Sequence, residues 1–241
     1  LATLGLPSTS PAPISVAAVR AAGGIWSAED LQAYRVIERT PIVVHYRNHR
    51  VVSASLPSSG GVLLAQMLNM LRARPLGELS AADRVHLLVE VMRRAYADRA
   101  AYLGDSDYVP VPLAGLLSAA YAFRRAQTID MARAMPSVAP SVGTDEGRET
   151  THFSVLDREG NRVAATLSIN YPFGSGFVAA GTGVLLNDEM DDFSIKPGVA
   201  NVYGLVGNAA NAIAPGKRML SSMSPSFLES PQRVTILGTP G

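Results

Sequence analysis

The sequence predicts a mixed α and β chain built around one core. Long apolar-striped runs in the first half have helical spacing, and short alternating segments with tight turns fill the second half. The chain has 241 residues and is 47% hydrophobic, enough for one sizeable core rather than two independent domains.

Taken in order, Ile14 to Ala22 reads as a short helix closed by Gly23-Gly24. Ser27 caps the next helix, with Glu29 and Asp30 in its first turn. Ile42 to Tyr46 and Val51 to Ser55 read as paired strands. Gly61 to Leu71 and Ala81 to Leu103 carry helical apolar stripes, so their Met and Tyr residues are assigned to the core. Asp105 and Asp107 resemble a metal pair, but no further ligand set lies nearby, and a polar turn before a strand is the simpler reading. Ala132 to Glu149 has no hydrophobic period and is rich in Pro, Ser and Gly, the composition of a flexible connection.

From Thr150 to Asp157 the pattern alternates like a strand, turns at Glu159-Gly160-Asn161, and runs back as a second strand from Arg162 to Asn170. A hydroxyl residue thus stands where a flexible segment enters a hairpin. Cleavage before Thr150 would free an amine able to act as base for the threonine's own hydroxyl. If Asp157 pairs with Asn161 around a three-residue loop, Thr150 lies opposite Ser168, on the face that carries Thr166, Ser168 and Asn170. A register shifted by one residue places Ile169 there instead. Taken alone, the segment also reads as an ordinary edge hairpin with its polar residues in water.

Composition excludes some functions. A net charge of +1 gives no basis for binding nucleic acid or an anionic membrane, and no apolar run approaches membrane-spanning length. The start, LATLGLPSTSPAP, lacks the basic-then-apolar layout of a signal peptide. With no cysteine there is no disulfide, catalytic thiol or thiolate metal site. The four histidines lack metal-ligand spacing, and His45 and His49 sit in a basic strand-turn, HYRNHR.

Several longer motifs, TTHFSVLD (Thr150–Asp157), GTGVLLNDEMDDF (Gly181–Phe193), PGKRMLSSMSP (Pro215–Pro225) and the closing GTPG, resemble the γ-glutamyltransferase family of N-terminal-nucleophile hydrolases. Upstream, GGIWSAEDLQAY (Gly23–Tyr34), PSSGG (Pro57–Gly61) and YADRAAYLGDSDYVPVP (Tyr96–Pro112) are similar to that family's large subunit. The resemblance runs from about Ala18 to Gly241. It implies a four-layer αββα sandwich within the α+β class, the fold of the N-terminal-nucleophile hydrolases. Residues 1–149 would then be the C-terminal part of a large subunit and residues 150–241 the N-terminal part of a small one, paired as a heterodimer after autocatalytic cleavage.

The resemblance also implies roles. Thr150 is the nucleophile, Ser168 stands where many members carry threonine, and Gly241 matches the first glycine of the oxyanion pair. Asn170, Glu189 and Asp192 match the positions that meet the substrate α-ammonium; many members carry glutamine at the position of Glu189. Ser221 and Ser222 match the serine pair that takes the α-carboxylate, and the family's arginine for that group comes from a region outside this sequence. The run from Phe193 to Arg218 resembles the family's lid, with Tyr203 matching its aromatic gate, which favours small substrates such as glutathione. No cofactor is implied, acceptors would be amino acids or peptides, and the setting would be periplasmic or secreted. Taken without the resemblance, Asp191-Asp192 reads as a helix N-terminus or solvated turn and Ser221-Ser222 as a plain turn. A sister acylase of the cephalosporin or glutaryl type, with the same nucleophile, and a non-catalytic relative are the alternatives.

Overall fold

The structure, a computed structural model, describes residues 16–136, 150–180, 182–196, 198–199 and 207–239. The chain is α+β. Helix α1 (Val16–Ala21) ends as its glycines predict: Gly24 N–H donates to the Val19 carbonyl, and Gly23 has the left-handed φ of +93°. Helix α2 (Ala28–Ala33) carries a reciprocal cap, with the Ser27 hydroxyl accepting from Asp30 N–H and the Asp30 carboxylate accepting from Ser27 N–H.

Strands β1 (Ile42–Tyr46) and β2 (His49–Ser53) form the first hairpin. Strand β2 begins two residues earlier than its sequence suggests. Tyr46 pairs with His49, so Arg47 and Asn48 alone make the turn, with Arg47 at φ +51°. It also stops at Ser53, and the Ala54 carbonyl then lies against Gly61 at the start of the next helix, leaving no room for a Cβ there.

Helix α3 (Gly60–Leu71) packs on β1 and β2, and α4 (Ala81–Tyr102) and α6 (Ala119–Gln127) pack on α3. Ile42, Val44, Val51, Leu56, Val62 and Ala65 fill the layer between sheet and helix, joined by Leu103, Leu116 and Leu220. A second cluster joins α3, α4 and α6 through Leu63, Met70, Leu87, Val91 and Ala122. The stripes read from sequence are therefore core. Buried Arg94 pairs with buried Glu90 at 2.6 Å and donates to the Thr128 carbonyl at 2.6 Å, tying α4 to the end of α6.

The GDSD segment is a turn, but no strand follows it. Tyr108 and Val109 N–H both donate to the Asp105 carbonyl, and the chain enters the short helix α5 (Leu113–Leu116). Pro110 and Pro112 cannot donate to a ladder, which removes the strand that the valines between them suggest. The two aspartates serve the fold. Asp105, 1% exposed, accepts from Asp107 N–H and Arg218 N–H, while Asp107 makes a two-pronged pair with Arg39.

After residue 150 come β3 (Thr151–Leu156) and β4 (Arg162–Leu167), the short pair β5 (Val178–Ala179) and β6 (Val184–Leu185), then β7 (Ser226–Glu229) and β8 (Val234–Leu237). Strand β7 pairs with β2, giving one antiparallel sheet ordered β1-β2-β7-β8. The β3–β4 hairpin packs against β8 as a separate two-stranded sheet. His152 fills the space a Cβ on Gly238 would need, so only glycine permits that approach. The sheet and its core thus join elements from both sides of Thr150. No helix among the described residues is long and apolar enough to cross a membrane.

Asp105 fastens the turn after α4 to the backbone that leads into Ser221. Asp105→Ala should lower stability by about 2–3 kcal/mol, because the Asp107 and Arg218 N–H groups lose their acceptor. Denaturant unfolding of the variant checks this, and a change below about 0.5 kcal/mol would remove Asp105 from the framework.

Candidate active site

The hairpin has the register that the three-residue loop requires. Asp157 N–H donates to the Asn161 carbonyl, and Thr151 pairs with Leu167. Thr150 therefore lies beside Ser168, and its Oγ is 3.0 Å from Ser168 Oγ. On the same face His152 Nδ1 is 2.8 Å from Thr166 Oγ1. The opposite face carries Phe153, Val155, Val163 and Leu167, all exposed among the described residues.

Beyond β4 the chain bends sharply. Asn170 adopts φ +72°, a conformation asparagine tolerates better than most residues, and is buried. Its N–H donates to Ser168 Oγ at 3.0 Å, and its side-chain amide donates to the Asp188 carbonyl at 3.3 Å. Asp188 in turn accepts from Tyr171 N–H, which draws the NDEMDD segment against the end of the hairpin. Glu189 to Asp192 forms one short 3-10 turn. Asp191 and Asp192 thus end a turn rather than begin a helix. Asp191 accepts from the Tyr171 hydroxyl, while Asp192 is half-buried and faces Glu189.

The electrostatics here are unusual. Burial pushes the Glu189 carboxyl above its ordinary range, with Ser168 and Asp192 in hydrogen-bonding contact and Asp188 adding repulsion. Burial, then the neighbouring Glu189 charge, raises Asp192 to about 7, partly offset by the Arg99 cation. Glu189 Oε1 is buried and has no hydrogen-bond partner among the described residues. Two crowded carboxyls with an unused acceptor oxygen form a cluster suited to a cation.

The serine pair is held from the other half of the core. Ser221 makes a parallel bridge with Ser58: Ser59 N–H donates to the Ser221 carbonyl at 2.8 Å, and Ser221 N–H donates to the Pro57 carbonyl at 2.9 Å. Ser59 occupies the N-cap position of α3, yet its hydroxyl caps nothing and donates to the Ser221 carbonyl instead. A Cβ on Gly60 would meet Ser224 Cβ at 2.5 Å and the Met223 carbonyl at 2.7 Å, so glycine allows the two segments to touch. Arg99, 7% exposed near the end of α4, donates from Nε to Ser59 Oγ at 3.0 Å and from Nη2 to Ser222 Oγ at 3.1 Å.

Of the residues singled out from sequence, Thr150, Ser168, Asn170, Glu189 and Asp192 converge on one end of the β3–β4 hairpin. Ser222, next to Ser221, is linked to them through Arg99, which feels the Asp192 charge. Tyr203 and Gly241 lie outside the described residues, as do residues 137–149 of the predicted flexible connection. Sequence reasoning missed Arg99 and Ser59. Their only signal is that they stand inside YADR and PSSGG, motifs noted for resemblance and not for chemistry.

The raised Asp192 carboxyl affects stability. Its folded pKa of about 7 exceeds the unfolded value near 3.8, so the folded chain holds a proton that the unfolded chain releases between those limits. The contribution of this group to folding stability is therefore fully present below the unfolded value and lost as pH rises toward 7. Asp192→Asn, neutral at every pH, should raise the melting temperature at pH 8 more than at pH 4. Equal shifts at both would mean that Asp192 is not held protonated.

The family model described as Gamma-glutamyltranspeptidase matches residues 12–241. The chain is 47% identical over 231 residues to the glutathione hydrolase proenzyme of Pseudomonas sp. (strain A14), covering 94% of this chain and 40% of that protein. It is 39% identical over 222 residues to the acylase ACY 1 proenzyme of Pseudomonas sp. (strain SE83), covering 91% and 38% respectively. Among solved structures it is similar to a cephalosporin acylase from Bacillus halodurans, with a TM-score of 0.70 and 27% identity over 89% of this chain and 36% of that one. The chain thus spans about two-fifths of the length of the curated relatives it matches. A family model matched from residue 12 almost without remainder, together with a relative at 47% identity, establishes that this chain belongs to the γ-glutamyltranspeptidase family.

Proposed function

We propose that the protein containing this chain transfers or hydrolyses γ-glutamyl groups, with Thr150 as an N-terminal nucleophile freed by self-cleavage after Glu149. The observation that carries this is the Thr150–Ser168 hydroxyl contact at the strand end, beside a half-buried carboxyl pair whose Glu189 Oε1 has no hydrogen-bond partner among the described residues. Ser168 is in hydrogen-bonding contact with the Glu189 carboxyl and accepts from Asn170 N–H, so its remaining lone pair receives the Thr150 hydroxyl and orients it.

Once cut, the Thr150 amine has a reference pKa of about 7.7–8.0 and is partly neutral near pH 7, as a base must be. It takes the Oγ proton as Oγ attacks the γ-carbonyl carbon. The oxyanion is held by N–H donors, for which Gly241 is the candidate on this chain. Collapse expels the amine of the substrate, which leaves with that proton, and an ester of the γ-glutamyl group remains on Thr150. Water releases glutamate, or the amine of an amino acid or peptide takes the acyl group. Asn170, Glu189 and Asp192 receive the substrate α-ammonium, Ser221 and Ser222 its α-carboxylate, and Tyr203 closes the lid. Small γ-glutamyl amides such as glutathione are the proposed substrates, in a periplasmic or secreted setting.

Residues 1–149 and 150–241 then belong to the two subunits of one processed precursor. Strand β7 pairs with β2, and Leu220 lies in the same core as Ile42 and Val62, which supports a heterodimer that stays together after the cut. A second reading, an acylase for glutaryl-type side chains, rests on the likeness to the acylase ACY 1 proenzyme. A glutaryl group keeps the distal carboxylate of a γ-glutamyl group but lacks its ammonium. The carboxyl cluster at Glu189 and Asp192 has no cation to receive from such a substrate, which favours the first reading.

Two outcomes test this in the full-length protein. Thr150→Ala should remain one uncut chain without amide hydrolysis; cleavage of that variant at the same bond would sink the nucleophile assignment. The processed enzyme should prefer a γ-glutamyl anilide over the glutaryl anilide by roughly 10- to 150-fold in kcat/KM, the value of one charge-assisted hydrogen bond. A ratio favouring glutaryl would replace the first reading by the second.

A further inference from the structure

Arg99 has a role that the pattern of functional residues read from sequence does not include. Its guanidinium is buried in the core at the end of α4, and burial lowers its proton affinity, yet no carboxylate pairs with it among the described residues. Two donors are used, Nε on Ser59 Oγ and Nη2 on Ser222 Oγ, and Nη1 has no hydrogen-bond partner among the described residues. A largely buried guanidinium without a carboxylate partner favours an anion nearby.

Hydrogen-bond polarity shows what that anion meets. Arginine only donates, so both hydroxyl oxygens must accept from it. Ser59 spends its own hydrogen on the Ser221 carbonyl at 2.8 Å and is fully committed. Ser222 Oγ accepts from Arg99, and its hydrogen has no acceptor among the described residues. Ser221 Oγ likewise accepts from Met223 N–H at 3.1 Å, leaving its hydrogen available. Both hydroxyls of the pair thus keep a hydrogen free to donate, and Ser222 is solvent-exposed. Two O–H donors backed by a fixed positive charge make a receptor for a carboxylate, not for a neutral or cationic group.

We propose that Arg99 is a positioning and specificity-determining residue for the acyl donor: it keeps the Ser222 hydroxyl free to donate and supplies the charge that selects acyl groups bearing a distal carboxylate. This deepens the γ-glutamyl reading and rests on it for the identity of that carboxylate. It also separates the site electrically. Arg99 bonds Ser222 and feels the Asp192 charge, so an anion is favoured at the serine pair and a cation at the carboxyls. A zwitterionic amino-acid end fits that order in one orientation only, which fixes the reacting carbonyl relative to Thr150.

The test uses three anilides on the full-length processed enzyme. The γ-glutamyl anilide carries both charges, the glutaryl anilide only the carboxylate, and the 4-aminobutanoyl anilide only the ammonium. Arg99→Met should lower kcat/KM by roughly 10- to 150-fold for γ-glutamyl and glutaryl substrates alike, chiefly through KM. For the 4-aminobutanoyl substrate it should change less than about threefold. Arg99→Lys keeps the charge without the fork, and it is the arm to read if the Met variant does not fold or process. It should lose part of the carboxylate-dependent rate while the 4-aminobutanoyl rate stays unchanged. Equal losses on all three substrates from either variant, or none on the carboxylate-bearing pair, would overturn the assignment. A wild-type preference for glutaryl would instead overturn the γ-glutamyl reading and leave the role of Arg99 standing.

Discussion

The clasp between Ser59 and Ser221 is the contact on which the site depends. It joins PSSGG, before the proposed cleavage point, to SSMSP, after it, through two backbone hydrogen bonds and the Ser59 hydroxyl. Next to it the Ser58 hydroxyl donates to the Met223 carbonyl, and the bare face of Gly60 lets the second segment lie directly on the first turn of α3. Because Ser59 is fully buried, its bonds do not compete with water and keep their full value. The helix gives up a side-chain cap for this purpose. Everything downstream follows from it: the position of the serine pair, the entry of β7 beside β2, and the second acceptor that Arg99 needs.

The far side of the pocket is built differently. Glu189 and Asp192 are set close together on one short turn and kept partly from water, so both hold their protons more tightly than an exposed carboxyl does. That arrangement costs stability in the free chain. A cationic ligand reverses the cost, because an ammonium satisfies the orphan Glu189 oxygen and relieves the repulsion between the two carboxyls. The fold thus holds two crowded carboxyls and an oxygen unpartnered among the described residues, the feature on which the proposed ammonium site rests. Such local conflicts between stability and chemistry are typical of binding sites.

Much of this was legible in the residues themselves. Alternation and turn chemistry set the register of the Thr150 hairpin, because side-chain direction in a strand has a period of two and Asp157, Gly160 and Asn161 favour one loop length. The capping box at Ser27 and the glycine stop at Gly23-Gly24 were equally local, and so was the core face of α3. The strand expected beyond GDSD failed for an equally local reason, the prolines at 110 and 112, which periodicity alone does not weigh.

What sequence by itself determined, then, were the elements and the neighbours of Thr150, since those rest on interactions between residues close in the chain or paired through one tight turn. Tertiary structure alone decided that β7 joins β2, that Ser59 reaches Ser221 and that Arg99 reaches Ser222. Those contacts link residues more than a hundred positions apart. Nothing in local propensity or periodicity encodes them, because they arise only when the shared core around Val62 and Leu220 closes and brings the ends of α3 and α4 against the serine segment.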